Sequence, residues 1–170
     1  MTTTQQTTAS DQTISVGLGE VKVTSDASMY LACFGLGSCI CLCAYDTAAK
    51  IAGMAHIVLP ESKSKEDMTA TKYADIAVPV LFEEMIKKGA SKSKLIIKLA
   101  GGAQMIQAPG FATILDMGAK NLVATRAALK SSAVRVSGED IGGSKGRSVW
   151  LSVATGETMV RTAGREYNKI

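Results

Sequence analysis

From residue 14 onward, short apolar runs alternate with glycine or polar breaks, and two longer stretches carry helical spacing. Between Gln12 and Thr24 the apolar positions are Ile14, Val16, Leu18, Val21 and Val23, interrupted by Gly17 and Gly19, a pattern that predicts a first strand with a bulge or bend. Met29–Phe34 predicts a second strand. Gly35 and Gly37 then turn the chain, and Cys39–Tyr45 resumes as a strand with Cys39, Cys41, Cys43 and Tyr45 on one face, because side chains two apart along a strand point the same way. Asp46–Lys50 is a turn, and Ile51–Leu59 returns as the hairpin partner carrying His56. Pro60–Thr71 reads as a polar loop.

Tyr73–Lys88 places Ile76, Val80, Leu81 and Met85 on one side and Glu83, Glu84, Lys87 and Lys88 on the other, an amphipathic helix closed by Gly89. Pro79 conflicts with its first turns, since an interior proline costs about 3 kcal/mol, and predicts that the regular helix starts late. Leu95–Leu99 is a buried strand ending at Gly101-Gly102, and Asn121–Ser132 is a second helix. Ala133–Gly138, Arg147–Ala154 and Thr158–Thr162 are further strands, the last two joined at Thr155-Gly156. The expected architecture is a single-domain α/β sandwich over residues 13–170, a mixed or antiparallel sheet core with flanking helices, behind a flexible polar tail of residues 1–12.

With 46% hydrophobic residues in 170, the chain has enough apolar surface for one substantial core. Nineteen basic and 15 acidic residues are spread along it and aromatic residues make up 5%, which argues against a nucleic-acid partner. The densest basic region, Lys63, Lys65, Lys87, Lys88, Lys92, Lys94 and Lys98, reads as a solvated face. Without a signal peptide or an apolar run near the roughly 18 residues of a membrane span, the expectation is a soluble, cytoplasmic protein with no membrane insertion.

The chemistry concentrates in the hairpin. Cys39 follows Gly35-Leu36-Gly37-Ser38, and the only histidine of the chain, His56, lies on the returning strand. A thiol with a free pKa of about 8.5 is mostly protonated at neutral pH, and a neighbouring imidazole is the usual group that makes it a nucleophile. The turn at Gly37 and Ser38 could expose that thiol and aim backbone N–H groups at one spot, as an oxyanion site requires. Other readings stay open. Buried cysteines pack as small hydrophobes, a lone strand histidine is usually a satisfied core residue, and Cys33, Cys39, Cys41, Cys43 and His56 could bind zinc, although Cys-x-Cys inside a strand splays its sulfurs. Gly101-Gly102 and Gly142-Gly143 fit turns better than a nucleotide-binding loop.

Taken in order, Gly35-Leu36-Gly37-Ser38-Cys39, Tyr45-Asp46, Ala52-Gly53-Met54-Ala55-His56-Ile57-Val58-Leu59-Pro60, Lys72-Tyr73-Ala74-Asp75, Ala100-Gly101-Gly102-Ala103-Gln104-Met105, Gly118-Ala119-Lys120-Asn121, Glu139-Asp140-Ile141-Gly142-Gly143 and Arg147-Ser148 closely resemble the CheD chemoreceptor glutamine deamidases. The resemblance implies a cytoplasmic chemotaxis enzyme that converts glutamines of methyl-accepting chemotaxis receptors into glutamates. It further implies a fold like that of deamidating toxins, papain-like chemistry, no cofactor or metal, and a CheC-type phosphatase as partner. In the family's pattern Cys39 is the nucleophile and His56 the base, with Gly37 and Ser38 beside the oxyanion site. The third family member is a threonine six positions before the nucleophile, where this chain has Cys33. A thiol is the weaker hydrogen-bonding group, so the chain is expected either to orient His56 less firmly or to use another group. A thioester mechanism would also cleave a receptor methyl ester, and a non-catalytic binding role toward the phosphatase or the receptor is the alternative.

Overall fold

In the computed structural model, which describes residues 12–63, 70–105 and 116–170, the hairpin of β4 (Ile40–Asp46) and β5 (Ile51–Ile57) is buried along its whole length. Strands covered on both faces behave this way. Ile40, Leu42 and Ala44 join Ile51, Ala55 and Ile57 in one core, whereas Cys41, Cys43 and Tyr45 join Ala52 and Met54 in a second, with Cys39 packed against its edge. The alternation expected from sequence is therefore the observed one.

This hairpin is the middle of a central sheet ordered β2 (Val21–Thr24), β5, β4, β6 (Leu95–Gly101) and β7 (Val136–Ile141). An outer sheet, ordered β1 (Thr13–Ser15), β3 (Tyr30–Leu36), β8 (Arg147–Ser152), β9 (Thr158–Thr162) and β10 (Tyr167–Lys169), closes the cysteine-containing core. The helices α1 (Ala74–Lys87) and α2 (Met117–Ser131) close the other. At Gly53 of β5 a Cβ would sit 2.7 Å from Leu81 Cδ1 and Met85 Sδ, so α1 lies directly on the strand backbone. The sandwich is thus two sheets with helices on one side only. The flexible tail expected for residues 1–12 and the middle of the expected loop, 64–69, fall outside the described residues except for Gln12. Among the described residues no helix is long and apolar enough to cross a membrane. Of the basic region, Lys63, Lys87, Lys88, Lys92 and Lys94 are exposed, Lys98 is half-buried on β6, and Lys65 falls outside the described residues.

Four expectations need correction. The bent first strand is two strands in different sheets: β1 pairs with β3, and β2 pairs with β5. Helix α1 does not start late but runs regularly from Ala74 through Pro79, because burying Ala74, Ile76, Ala77, Val78, Leu81, Phe82 and Met85 outweighs one lost backbone bond. Helix α2 starts four residues early, at Met117, where the Asp116 carboxylate caps it by accepting from Ala119 N–H. Finally, the strand expected from Ala133 begins only at Val136.

The last displacement has a definite cause. Helix α1 ends with Ala90 N–H bonding the Met85 carbonyl and Gly89 N–H bonding that of Ile86, with Gly89 at φ +106°. Helix α2 ends in the same pair of bonds, Val134 to Leu129 and Ala133 to Lys130, but the left-handed position is alanine, at φ +55°. The helix end expected from sequence, Ser132, lies within a residue of the observed one, but without a glycine the closing turn through Val134 reads as strand. Ala133→Gly should relieve that strain and raise stability by about 0.5–1 kcal/mol after the glycine's greater unfolded-state entropy is subtracted. Equilibrium denaturation checks it, and an unchanged or lower stability would contradict this account of the helix end.

Candidate active site

The Gly35–Cys39 turn joins β3 of the outer sheet to β4 of the central one, and three successive carbonyls in it are held from outside. Gly37 O accepts from Ala103 N–H at 2.8 Å, Ser38 O from Asn121 Nδ2 at 2.9 Å, and Cys39 O from Gly102 N–H at 2.8 Å. The glycine pair read as a turn is what permits this approach. Gly101 sits at φ +110°, and a Cβ there would run into the Cys39 carbonyl. Cys39 itself is half-buried, packed against the cysteine-containing core between the sheets.

His56 reaches the same place from β5. Its strand partner is Cys41, so the imidazole and the Cys39 side chain lie on one face as diagonal neighbours, within reach of long side chains. The bend between β1 and β2 wraps around it: Gly19 N–H donates to the His56 carbonyl, His56 N–H donates to the Glu20 carbonyl, and Nδ1 stands 3.1 Å from the Val16 carbonyl. A carbonyl can only accept, so Nδ1 carries the proton and Nε2 keeps its lone pair when the ring is neutral. Nε2 is buried and has no hydrogen-bond partner among the described residues.

Burial is the strongest influence on the ring and opposes its charge, but the nearby Cys33 and Cys39 thiols, the charge of Cys33 and the Val16 carbonyl overcome it and raise the pKa from 6.5 to about 10. Cys33 moves the opposite way, lowered to about 6 chiefly by hydrogen bonding to Cys41 and also by His56, against its own burial. The two groups titrate as a pair. Cys33 projects from the outer sheet, fully buried, with Sγ 3.5 Å from Met54 Sδ. It stands beside the imidazole, yet Nδ1 is held by the Val16 carbonyl.

All four cysteines are free. Cys41 and Cys43 lie side by side at 3.7 Å between sulfurs, and burial pushes the Cys41 thiol well above its usual range. A thiol held protonated is the opposite of a metal ligand. Among the described residues no group of three or more His, Cys, Asp or Glu is placed to hold a metal ion.

Beside the turn runs a groove of about 630 Å³, lined by Phe34, Gly35, Gly37, Met105, Trp150 and Arg161 among others. Phe34 and Trp150 meet edge to face at 5.5 Å. At its inner edge Arg147 is opposite Leu36 in the strand register and donates from Nε to Asp140 at 2.9 Å, tying the outer sheet to the last strand of the central one. The arrangement supplies a partly exposed thiol, a base with a defined free nitrogen and a rigid turn.

Residues 58–162 match the family model described as CheD chemotactic sensory transduction. A relative in Symbiobacterium thermophilum, named probable chemoreceptor glutamine deamidase CheD, is 44% identical over 88% of this chain and 92% of its own length. The chain belongs to the CheD family. The chemoreceptor glutamine deamidase CheD of Thermotoga maritima is 40% identical over 88% of this chain and 91% of that protein. A solved structure, the hypothetical protein YfiH of Bacillus licheniformis, gives a TM-score of 0.46 at 13% identity, covering 74% of this chain and 50% of that one.

Within this CheD chain Cys33, Gly37, Ser38, Cys39 and His56, singled out from the sequence, converge at one end of the interface between the sheets. Two neighbours of the site are given no role by the sequence. Val16 acts through its carbonyl, for which no side-chain signal exists, and Asn121, wholly buried on α2, stands in the motif Gly118-Ala119-Lys120-Asn121 with no role attached to it.

Because the chain has one histidine, its imidazole titration is unambiguous. Stability due to a raised His56 is complete below pH 6.5 and lost as pH climbs toward 10, while stability due to a lowered Cys33 is complete above pH 9 and lost as pH falls toward 6. The two slopes oppose each other in between, so the pair should show by NMR rather than in a stability curve. His56 should titrate well above 6.5, and Cys33→Ala should bring it down. A wild-type value near 6.5, unmoved by the substitution, would refute the pairing.

Proposed function

We propose that this chain deamidates glutamine side chains of chemoreceptors, with Cys39 as nucleophile and His56 as base and acid. The observation that carries this reading is the free Nε2 beside the Cys39 thiol, held by the Val16 carbonyl behind it. The names of the relatives supply the substrate.

In molecules whose imidazole is neutral, His56 Nε2 takes the thiol proton, and the thiolate attacks the glutamine carbonyl carbon to form a tetrahedral oxyanion that backbone N–H groups at the turn stabilise. The carbon–nitrogen bond breaks as the imidazolium gives its proton to the departing ammonia, leaving a thioester on Cys39. Neutral His56 then removes a proton from water, hydroxide adds to the thioester carbon, and glutamate leaves as the thiol is restored. Atoms and protons balance without an added cofactor. The same route accepts a glutamate methyl ester, releasing methanol. Receptor glutamines lie on helices, and the groove along Phe34, Trp150 and Arg161 offers an apolar wall with a positive charge beside the nucleophile turn.

The alternative of a non-catalytic partner of a CheC-type phosphatase drew its support from Cys33 in place of threonine. With Nδ1 engaged by Val16, an orienting group exists that does not depend on residue 33.

The test incubates a receptor cytoplasmic fragment with wild type, Cys39→Ala and Cys39→Ser. Wild type should release ammonia with a mass gain of about one dalton per converted glutamine, and both variants should fall to background while unfolding at the wild-type temperature. Conversion by either variant removes Cys39 from the mechanism.

A further inference from the structure

Asn121 lies in the first turns of α2, fully buried, and both of its amide hydrogens are used. Nδ2 donates to the Ser38 carbonyl and to the Val58 carbonyl, each at 2.9 Å. Two acceptors on that side fix which end of the amide faces them. The location is specific: the β4–β5 ladder ends at the pair Ile40 and Ile57, and Asn121 bridges the strand ends just beyond it, one leading from the nucleophile turn and the other leaving His56.

The opposite end of the side chain makes no such use of its surroundings. Asn121 Oδ1 is buried without a hydrogen-bond partner among the described residues. A buried unpaired carbonyl oxygen is a stability cost, so a residue chosen for stability alone would not carry one.

What the bond to Ser38 achieves follows from peptide geometry. The chain has no cis peptide bond among the described residues, and in a trans peptide the carbonyl and the next N–H point in opposite directions. With the Ser38 carbonyl pinned toward α2, Cys39 N–H must face away from the helices, the side on which Cys39 packs against the cysteine-containing core. Among the described residues no backbone acceptor meets Cys39 N–H, and the neighbouring carbonyls of Gly37 and Cys39 are already occupied. The peptide plane therefore cannot turn without breaking the Asn121 bond.

We infer that Asn121 is a positioning residue for the oxyanion site: it locks the Ser38–Cys39 peptide so that the nucleophile's own N–H is presented to the oxyanion formed in the transition state. This deepens the proposed deamidase mechanism and rests on Cys39 as its nucleophile. Asn121 touches no substrate; it acts through a peptide plane. Its effect should appear in reactions that develop an oxyanion and be absent from those that do not.

That difference gives the test. Acylation of Cys39 by p-nitrophenyl acetate passes through a tetrahedral oxyanion, whereas alkylation by iodoacetamide is a displacement at carbon that forms none; both need the same thiolate. In Asn121→Ala, acylation should fall at least about tenfold, since losing one oxyanion donor outright costs about 10²–10³, while alkylation at Cys39, located by mass spectrometry, stays within about twofold. Asn121→Ser keeps one shorter donor and should lie between, and it serves if the alanine variant does not fold. Equal loss of both reactions in the folded variant, or loss of neither, would overturn the inference. The reporters need no receptor. If wild type fails to deamidate a receptor fragment but the selective loss is seen, the deamidase reading falls and the role of Asn121 stands; if wild type deamidates and the loss is not selective, only the role of Asn121 falls.

Discussion

The bond between His56 Nδ1 and the Val16 carbonyl is the constraint on which the rest of the site depends. It decides which ring nitrogen is free, and it exists only because the first apolar segment divides between two sheets and wraps its bend around the imidazole. Val16 is itself fixed, its N–H donating to Ala32 of the outer sheet, and the His56 backbone is paired with Gly19 and Glu20 on the other side. A histidine gripped from both sheets needs no side-chain orienter. The ring is thus oriented without the side chain at position 33, and Cys33 acts on it electrostatically, raising its pKa.

The nucleophile turn obeys the same logic from the opposite direction. Its carbonyls at Gly37, Ser38 and Cys39 are each held by a different segment, so the backbone is set before any substrate arrives. Preorganisation of this kind is where much of an enzyme's transition-state stabilisation resides, because no reorganisation remains to be done during the reaction. The pairing of buried Arg147 with half-buried Asp140 and the bonds from Asn121 on α2 tie the layers together around the turn. The open groove lies against this rigid edge.

Much of this could be read in the sequence, and the failures have physical causes. The period-two pattern of Cys39, Cys41, Cys43 and Tyr45 fixed a face correctly because both sides of β4 are buried, and the face assignment needed only local alternation. The segment from Ile14 to Val23 has the same alternation, but whether a bend stays in one sheet or crosses to another is decided by long-range pairing with β3 and β5. Pro79 misled because propensity is local and helix burial is not. Cys39 and His56 were legible as candidates because a thiol and an imidazole are reactive side-chain types. Val16 was not, since any residue has a carbonyl, and Asn121 gave no chemical signal until α2 was seen to bring it against the turn.

The central claim is that the chemistry passes through a thioester on Cys39, and hydroxylamine trapping tests it most directly. Hydroxylamine attacks a thioester in competition with water, so deamidation of a receptor fragment in its presence should place hydroxamates on the same glutamines that otherwise become glutamates, in proportion to its concentration. Neither product should form with Cys39→Ala. Glutamate formed at an undiminished rate with no hydroxamate, or hydroxamate formed without Cys39, would contradict the account.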